Sequence, residues 1–377
     1  MFVPAWPALH LSQLVGAPYR GPRPFPLRAP HALYFYVARG AIYHLFRALR
    51  GGVVLVPAYH HGNEVRALRA AGADVRFYHV NRRWEPDLDQ LDRLVRPPVR
   101  ALFVIHYLGF PQPVAELAAL CRARGVRLIE DCALALLSEA GGRPLGSFGD
   151  FAVFCLYKTM PTPNGGVLVG REPLPGVLRT LALHPCDGTS LAGRSAELLL
   201  ASWRGRLHGV GRALYGLKRA AGRGLSACGV HRMAVGDQGF DERLVELGMS
   251  SLSWRVVRRC DPDRIRARRR ANYRLMLDCL GGRVAAVKER LDDGVCPLFF
   301  PLLVEDKAEA VRRLAAKGID AVPFWNEGDP EASGRAFPEE RFLREHVLEL
   351  PIHQDLAPAQ VEYMAEQVLG LRLAMAA

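Results

Sequence analysis

Four short apolar runs, at 53–57, 100–105, 126–131 and 151–157, limit most sharply what this chain can fold into. Each is long enough for a buried strand and far too short for a membrane-spanning helix. Between them lie helical stretches at 63–71, closed by Gly72, at 88–95, and at 114–124, closed by Gly125, with a further strand at 74–80. Strands alternating with helices at this spacing imply right-handed βαβ units and a mostly parallel sheet.

Ligands of such sheets sit beyond the carboxyl ends of the strands. The run 126–131 ends in Glu130 and Asp131, which places Asp131 to meet one. The turn Gly146-Ser147-Phe148-Gly149-Asp150 leads into the run 151–157, which delivers Lys158. Pro161, Pro163, Gly165 and Gly166 then forbid a continuing helix, and 167–169 resumes as strand. A lysine held at a buried strand end is disfavoured as a cation, which lowers its pKa and makes its amine a nucleophile suited to Schiff-base chemistry. A carboxylate across the same pocket would suit the ring nitrogen of pyridoxal phosphate. Taken singly, either residue also fits an ordinary solvated strand end.

Asp131, the Gly-Ser-Phe-Gly-Asp turn, the strand, Lys158 and the Gly-Gly pair at 165–166 together resemble the DegT/StrS-type nucleotide-sugar aminotransferases, which are fold type I pyridoxal phosphate enzymes. The likeness runs from about Ala38 to about Val368. It implies an α/β fold with a large, mostly parallel seven-stranded sheet domain, helices on both its faces, and a smaller α/β carboxyl-terminal domain. The boundaries expected are a proline-rich arm at 1–30, a cofactor domain at 31–250 with a basic helical excursion at 173–239, and a small domain at 251–377. It further implies a homodimer, a small-molecule amino donor, often glutamate, and an acceptor that is often a nucleotide-linked keto sugar. In the implied mechanism Lys158 holds the cofactor as an internal aldimine and, once displaced, moves a proton between substrate and cofactor carbons, while Asp131 keeps the ring nitrogen charged.

The same resemblance assigns further positions. A small-residue turn opening the helix at 38 would bind the cofactor phosphate through backbone N–H groups, with Gly40 and Ala41 as candidates and Arg39 standing where relatives have Ser or Thr. His61 takes the place of the aromatic residue that stacks on the ring, with Tyr59 as the alternative. His106, Tyr107, Asn164, Trp325 and His353 are the substrate candidates. Three departures are visible: Leu134 replaces a Gln or His, Cys155 is the nearest counterpart of a phosphate-binding Ser, and Glu246-Leu247-Gly248-Met249-Ser250 lacks an Asn that relatives lend to a neighbouring subunit's phosphate. Each lost hydrogen bond is worth about 1 kcal/mol. Two alternatives therefore stay open: elimination, dehydration or bond formation on an amino substrate with the same cofactor, and a non-catalytic binding or regulatory protein that reuses the fold.

The remaining features mostly exclude. Half of the 377 residues are hydrophobic, yet no apolar run reaches membrane-spanning length and the amino terminus lacks a signal-peptide pattern, so a cytoplasmic protein is expected. Eight cysteines show no CxxC pair and no metal spacing, and are expected as buried thiols. The net charge of +12 comes mainly from arginine, as the coding bias of a GC-rich genome would also give. No nucleic-acid motif accompanies it, and the arginines of the helix 264–280 are expected on a solvated face. The basic stretch 203–232 could touch a membrane surface or a partner. A strand at 297–304, a helix at 307–317, a strand at 319–325 and a helix at 361–369 complete the small domain.

Overall fold

The computed structural model describes residues 1–186, 188–206, 239–332, 334–372 and 375. Most of the basic stretch 203–232, with Cys228, lies outside them. The helices of the amino-terminal half are α1 (Leu11–Val15), α2 (Ala38–Ala48), α3 (Asn63–Ala70), α4 (Leu88–Leu94), α5 (Val114–Arg124), α6 (Leu156–Thr159), α7 (Gly176–Arg179) and α8 (Gly188–Arg206). Among them run strands β1 (Ala32–Phe35), β2 (Gly52–Pro57), β3 (Ala73–Tyr78), β4 (Val99–Ile105), β5 (Arg127–Cys132), β6 (Glu139–Ala140), β7 (Arg143–Pro144), β8 (Phe151–Cys155) and β9 (Gly166–Gly170). Seven of these strands form one sheet in the order β1-β9-β8-β5-β4-β2-β3. The pairs β3/β2, β2/β4, β4/β5 and β5/β8 are parallel, and β9 runs antiparallel to both β8 and β1.

This strand order gathers the carboxyl ends of β1, β2, β4, β5 and β8 along one edge. Every residue of β8 and β9 is buried, as their unbroken apolar sequences require. The chain steps from β2 outward to β3, then back across to β4 and on to β5. Right-handed crossovers therefore put α3 on one face of the sheet and α4 and α5 on the other. That reversal creates the crevice in which such sheets bind ligands.

The carboxyl-terminal segment contributes α9 (Ser251–Val257), α10 (Pro262–Leu280), α11 (Lys307–Ala316), α12 (Pro338–His346) and α13 (Pro358–Leu369), and strands β10 (Phe299–Leu303), β11 (Val322–Pro323) and β12 (Val347–Pro351). These strands form an antiparallel sheet, β10-β12-β11. The arm is fastened across it: Val3 N donates to Gly318 O at 2.9 Å and Asp320 N to Val3 O at 2.9 Å.

Several expectations are corrected. The strand at 151–157 stops at Cys155, because the chain turns into α6 and is ended there by Pro161. The strand at 319–325 shrinks to two residues, the arm contains the short helix α1, and the β6/β7 hairpin, α9 and α12 lie where no element was expected. Arg264 and Arg274 of α10 are exposed as expected, but its other arginines are half-buried or buried. Arg269 is buried; its Nε donates to Gln354 Oε1 at 2.9 Å and its Nη1 to Leu298 O at 2.9 Å, while Nη2 reaches Thr159 O at 3.4 Å. Arg266 forms a two-bond pair with Glu139 at 2.8 and 3.0 Å. Five of the described cysteines are buried, two are half-buried, and all are free.

Replacing Arg269 by Leu strands several buried acceptors at once. We expect a loss of about 3 kcal/mol or more in urea unfolding; an unchanged midpoint would contradict this account of α10.

Candidate active site

Neighbouring side chains of a strand point to opposite faces, so Glu130 and Asp131 at the end of β5 face different surroundings. Glu130 is fully buried and accepts from Gly146 N at 2.7 Å, Phe148 N at 2.7 Å and Gly149 N at 2.6 Å. His106 Nδ1 accepts from Gln112 N at 3.1 Å, so its Nε2 carries the proton and donates to Glu130 at 3.1 Å. The His106–Glu130 knot fixes the turn before β8. His106 is thus a structural residue, not the substrate contact expected.

Asp131 faces a cavity. Its Oδ1 accepts from Ala133 N at 2.8 Å. Burial pushes its carboxyl up to about 7, the charge of Glu64 pushes the same way, and the Ala133 N–H and the Lys158 cation oppose them. Lys158, half-buried in α6, lines the same cavity. Its turn is held from behind: Thr159 O accepts from Gln354 Nε2 at 3.0 Å as well as from Arg269, and Leu156 N donates to Gly165 O at 2.9 Å.

The cavity walls come from the expected edge: Ala38, Arg39 and Ile42 of α2, His61, Asn63 and Glu64 after β2, Leu134 after β5, Cys155 and Tyr157 around α6, and Trp325. Through His61, Asn63, Leu134, Tyr157, Lys158 and Trp325 it joins a larger cavity of about 600 Å³, a size in the range of roughly 300–1,000 Å³ usual for small-molecule sites.

Lys158, Asp131, His61, Cys155, Arg39 and Trp325 are therefore brought together. Other candidates are corrected. Gly40 and Ala41, expected to offer backbone N–H groups, are buried in the first turn of α2, where Gly40 N donates to Val37 O at 3.1 Å, and the α2 residues that line the cavity are Ala38, Arg39 and Ile42. The Tyr59 ring is buried against Tyr107, Phe324 and Trp325, and Tyr107 spends its hydroxyl on Tyr59 O at 2.7 Å. Asn164 Oδ1 accepts from Ser250 N at 2.9 Å and Ser253 Oγ at 3.0 Å, tying the loop before β9 to α9. His353 is buried, its pKa lowered by burial to about 4, and its Nε2 sits 3.0 Å from Pro4 O in the arm. Neither cavity is lined by any of these last four.

Glu64, Asn63 and Tyr157 are polar residues of this cavity that sequence reasoning missed, and Glu64 is the charged one. Its Oε1 accepts from His61 N at 2.7 Å. Burial would raise its carboxyl, but His60, His61 and the N–H bonds outweigh burial and the net direction is down. Its place three residues beyond His61, in the first turn of α3, was the available signal.

The donor set fits pyridoxal phosphate. A buried carboxyl with a pKa near 7 suits a pyridine nitrogen, a primary amine suits the aldehyde, and His61 and Trp325 offer flat walls for the ring. For the phosphate there is the first turn of α2 with the Arg39 guanidinium, which also donates to Gly239 O.

Fold and cavity together define a protein with the fold type I aminotransferase architecture. Residues 29–194, which carry most of the site, match the DegT/DnrJ/EryC1/StrS aminotransferase family. Over 178 residues the chain is 33% identical to a dTDP-4-dehydro-2,3,6-trideoxy-D-glucose 4-aminotransferase of Saccharopolyspora spinosa, covering 46% of each protein. It is 30% identical over 139 residues to a UDP-N-acetyl-3-dehydro-alpha-D-glucosamine 3-aminotransferase of Acidithiobacillus ferrooxidans, covering 36% of this chain and 38% of that one. The matches thus span less than half the length of these curated relatives. In fold, the chain is similar to Helicobacter pylori PseC, an aminotransferase of pseudoaminic acid biosynthesis (TM-score 0.69, 15% identity, 98% of both chains). It is also similar to the aminotransferase TlmJ of Streptoalloteichus hindustanus (TM-score 0.63, 21% identity, 91% and 86%). Among the described residues no helix is long and apolar enough to cross a membrane.

The raised Asp131 carboxyl makes a signed prediction for the cofactor-free protein. Between the unfolded value near 4 and the folded value near 7, the native state holds a proton that the unfolded chain has released. Stability therefore falls as pH rises through that window. From pH 5 to pH 8 the wild type should lose about 2–3 kcal/mol relative to Asp131→Asn. Denaturant titrations at the two pH values check it, and parallel behaviour of the two proteins would refute it.

Proposed function

We propose that the chain is a pyridoxal phosphate-dependent aminotransferase that takes an amino group from glutamate and delivers it to a keto sugar carried on a nucleotide. The observation that carries this reading is the meeting of the Lys158 amine and the Asp131 carboxyl in one cavity at the carboxyl edge of the sheet. The names of the two sequence relatives, both aminotransferases of nucleotide-linked dehydro sugars, support the acceptor class. Residues 31–250 would form the cofactor domain and 251–377 the small domain, in a cytoplasmic homodimer.

When bound, pyridoxal phosphate supplies an electron sink for charge developing at the substrate carbon. The chain supplies position and proton traffic. Lys158 Nζ would hold the cofactor through its aldehyde and would serve as the base that moves a proton at the substrate carbon. With the cofactor bound, Asp131 would lie toward the ring nitrogen, where an opposite charge would lower its pKa again and favour the carboxylate form. Arg39 and the first turn of α2 orient the phosphate, and His61, Leu134 and Trp325 exclude water from the ring.

A second reading keeps the cofactor and replaces transamination by elimination. Leu134 favours it, because its side chain offers no hydrogen bond where relatives hold Gln or His. Glutamate separates the two: transamination releases one 2-oxoglutarate per loaded site, and elimination releases none.

Purified protein loaded with pyridoxal phosphate should show visible absorbance that borohydride removes while fixing the cofactor to the peptide containing Lys158. Lys158→Ala should abolish that fixation and cost at least about a thousand-fold in turnover. Label on another peptide sinks the assignment. Arg39→Ala should weaken retention of the cofactor about ten-fold, read by dialysis and fluorescence, if its charge reaches the phosphate.

A further inference from the structure

The arm enters the larger cavity. Between Val3 and Leu9 the chain is largely buried, and Trp6 is the exposed residue of that stretch, 38% accessible. Its neighbours are fastened on two sides. Val3 pairs with Gly318 and Asp320 beyond α11, and Pro4 O is bonded by His353. Ala8 N donates to Asp355 Oδ2 at 2.9 Å and Leu9 N to Leu198 O of α8 at 3.2 Å. The arm thus bridges the three-stranded sheet and α8, and holds the indole of Trp6, edge-packed on Phe299 with ring centres 5.0 Å apart, on the wall of the cavity that Lys158 lines.

A large aromatic surface left in water on the wall of the cavity that Lys158 lines needs a reason, because the apolar side chains on either side of it, Val3 and Leu9, are fully buried. The same cavity is lined by Arg194 of α8 and Arg66 of α3, together with the carboxylates of Glu197, Glu327 and Glu349. Arg194 pairs with Glu197 at 3.0 Å, yet among the described residues its Nε is buried without a hydrogen-bond partner. A flat ring, two guanidinium groups and an amine along one cavity match an elongated ligand with a planar ring, an anionic centre and a carbonyl.

We infer that the arm is part of the acceptor site: Trp6 stacks on the nucleobase of a nucleoside diphosphate-linked acceptor, and its diphosphate lies toward Arg194 and Arg66. This rests on the acceptor class proposed above and adds the residues that select it. Stacking on indole is tolerant of base identity, so Trp6 sets the need for a base, not which one.

The test is calorimetric and needs no turnover. The cofactor-loaded protein is titrated with thymidine, uridine and guanosine diphosphates and with inorganic pyrophosphate. At least one nucleoside diphosphate should bind more tightly than pyrophosphate. Trp6→Ala should weaken it about five-fold or more, with pyrophosphate unchanged. Trp6→Phe, which keeps a ring and the arm's packing, should stay within about two-fold, and Arg194→Gln should weaken both ligands about ten-fold. Failure of every nucleoside diphosphate to bind, or a Trp6→Ala protein that binds it as wild type does, overturns the inference. An equal loss of both ligands in Trp6→Ala overturns it too, since the indole would then be holding the arm, not the base. Borohydride fixation at Lys158 is read separately, so the two proposals fail independently.

Discussion

The two-residue period at the end of β5 is the constraint on which the site depends. It sends two adjacent carboxylates to opposite sides, and their fates differ because of what each finds there. Glu130 meets three backbone N–H groups and an imidazole, which satisfy an ion buried from water. Asp131 receives one backbone N–H and the half-buried charge of Lys158, and its pKa rises to about 7. A one-residue slip of β5 against β4 or β8 would exchange these environments and leave the cavity without its acid. The hydrogen bonds of Glu130 to the 146–149 turn oppose that slip, so the structural acid protects the placement of the reactive one.

The second wall of the cavity is set by a buried arginine. Arg344 of α12 donates to Ala58 O and His60 O, both at 2.7 Å, and to Glu327 O at 2.8 Å, joining the segment after β2 to the loop before α12. His60 completes the clamp: its Nε2 accepts from Asp329 N at 2.9 Å, and burial lowers its pKa to about 4, keeping it neutral. Gly328 packs so closely on the guanidinium that a Cβ there would lie 2.3 Å from Arg344. Trp325 is held in the left-handed region, φ +42°, a conformation costing a non-glycine residue about 1 kcal/mol or more. The clamp offsets that cost and keeps the indole against His61 and the cofactor-sized cavity.

The sheet and the lysine–aspartate pair were legible because both rest on local signals: unbroken apolar runs, helix stops, and a polar residue at a strand's end. What stayed illegible depends on partners distant in sequence. Nothing around Arg269 distinguishes it from Arg268 or Arg270, and only its position on α10 against Leu298, Gln354 and Thr159 makes it a core residue. The resemblance made His106 and Tyr107, after a strand, and His353, in a segment crossing toward the pocket, look functional, yet their polar atoms are used by Gln112, Tyr59 and Pro4. Trp6 was hidden for the opposite reason, since a proline-rich arm carries no periodicity to show which side chain faces inward. The helix α12 could have been found, as Pro338-Glu339-Glu340 is an ordinary helix opening.

The departures from the family pattern share a direction. Where relatives place neutral hydrogen-bonding groups, this cavity has an apolar Leu134, and a Cys155 thiol that burial raises to about 11 and so keeps neutral. The segment 246–250 is bound within its own chain: Leu247 O accepts from Tyr36 N at 2.7 Å, and Met249 N donates to Tyr34 O at 3.2 Å. The cavity also holds two charged side chains, Arg39 and Glu64, the latter acting on Asp131. A guanidinium on a phosphate is a stronger contact than a neutral hydroxyl or amide. A second carboxylate beside Asp131 raises its proton affinity while the site lacks a ring cation. Under the proposed reading, then, cofactor binding would rest in part on charged groups of this chain, which makes it sensitive to pH and salt.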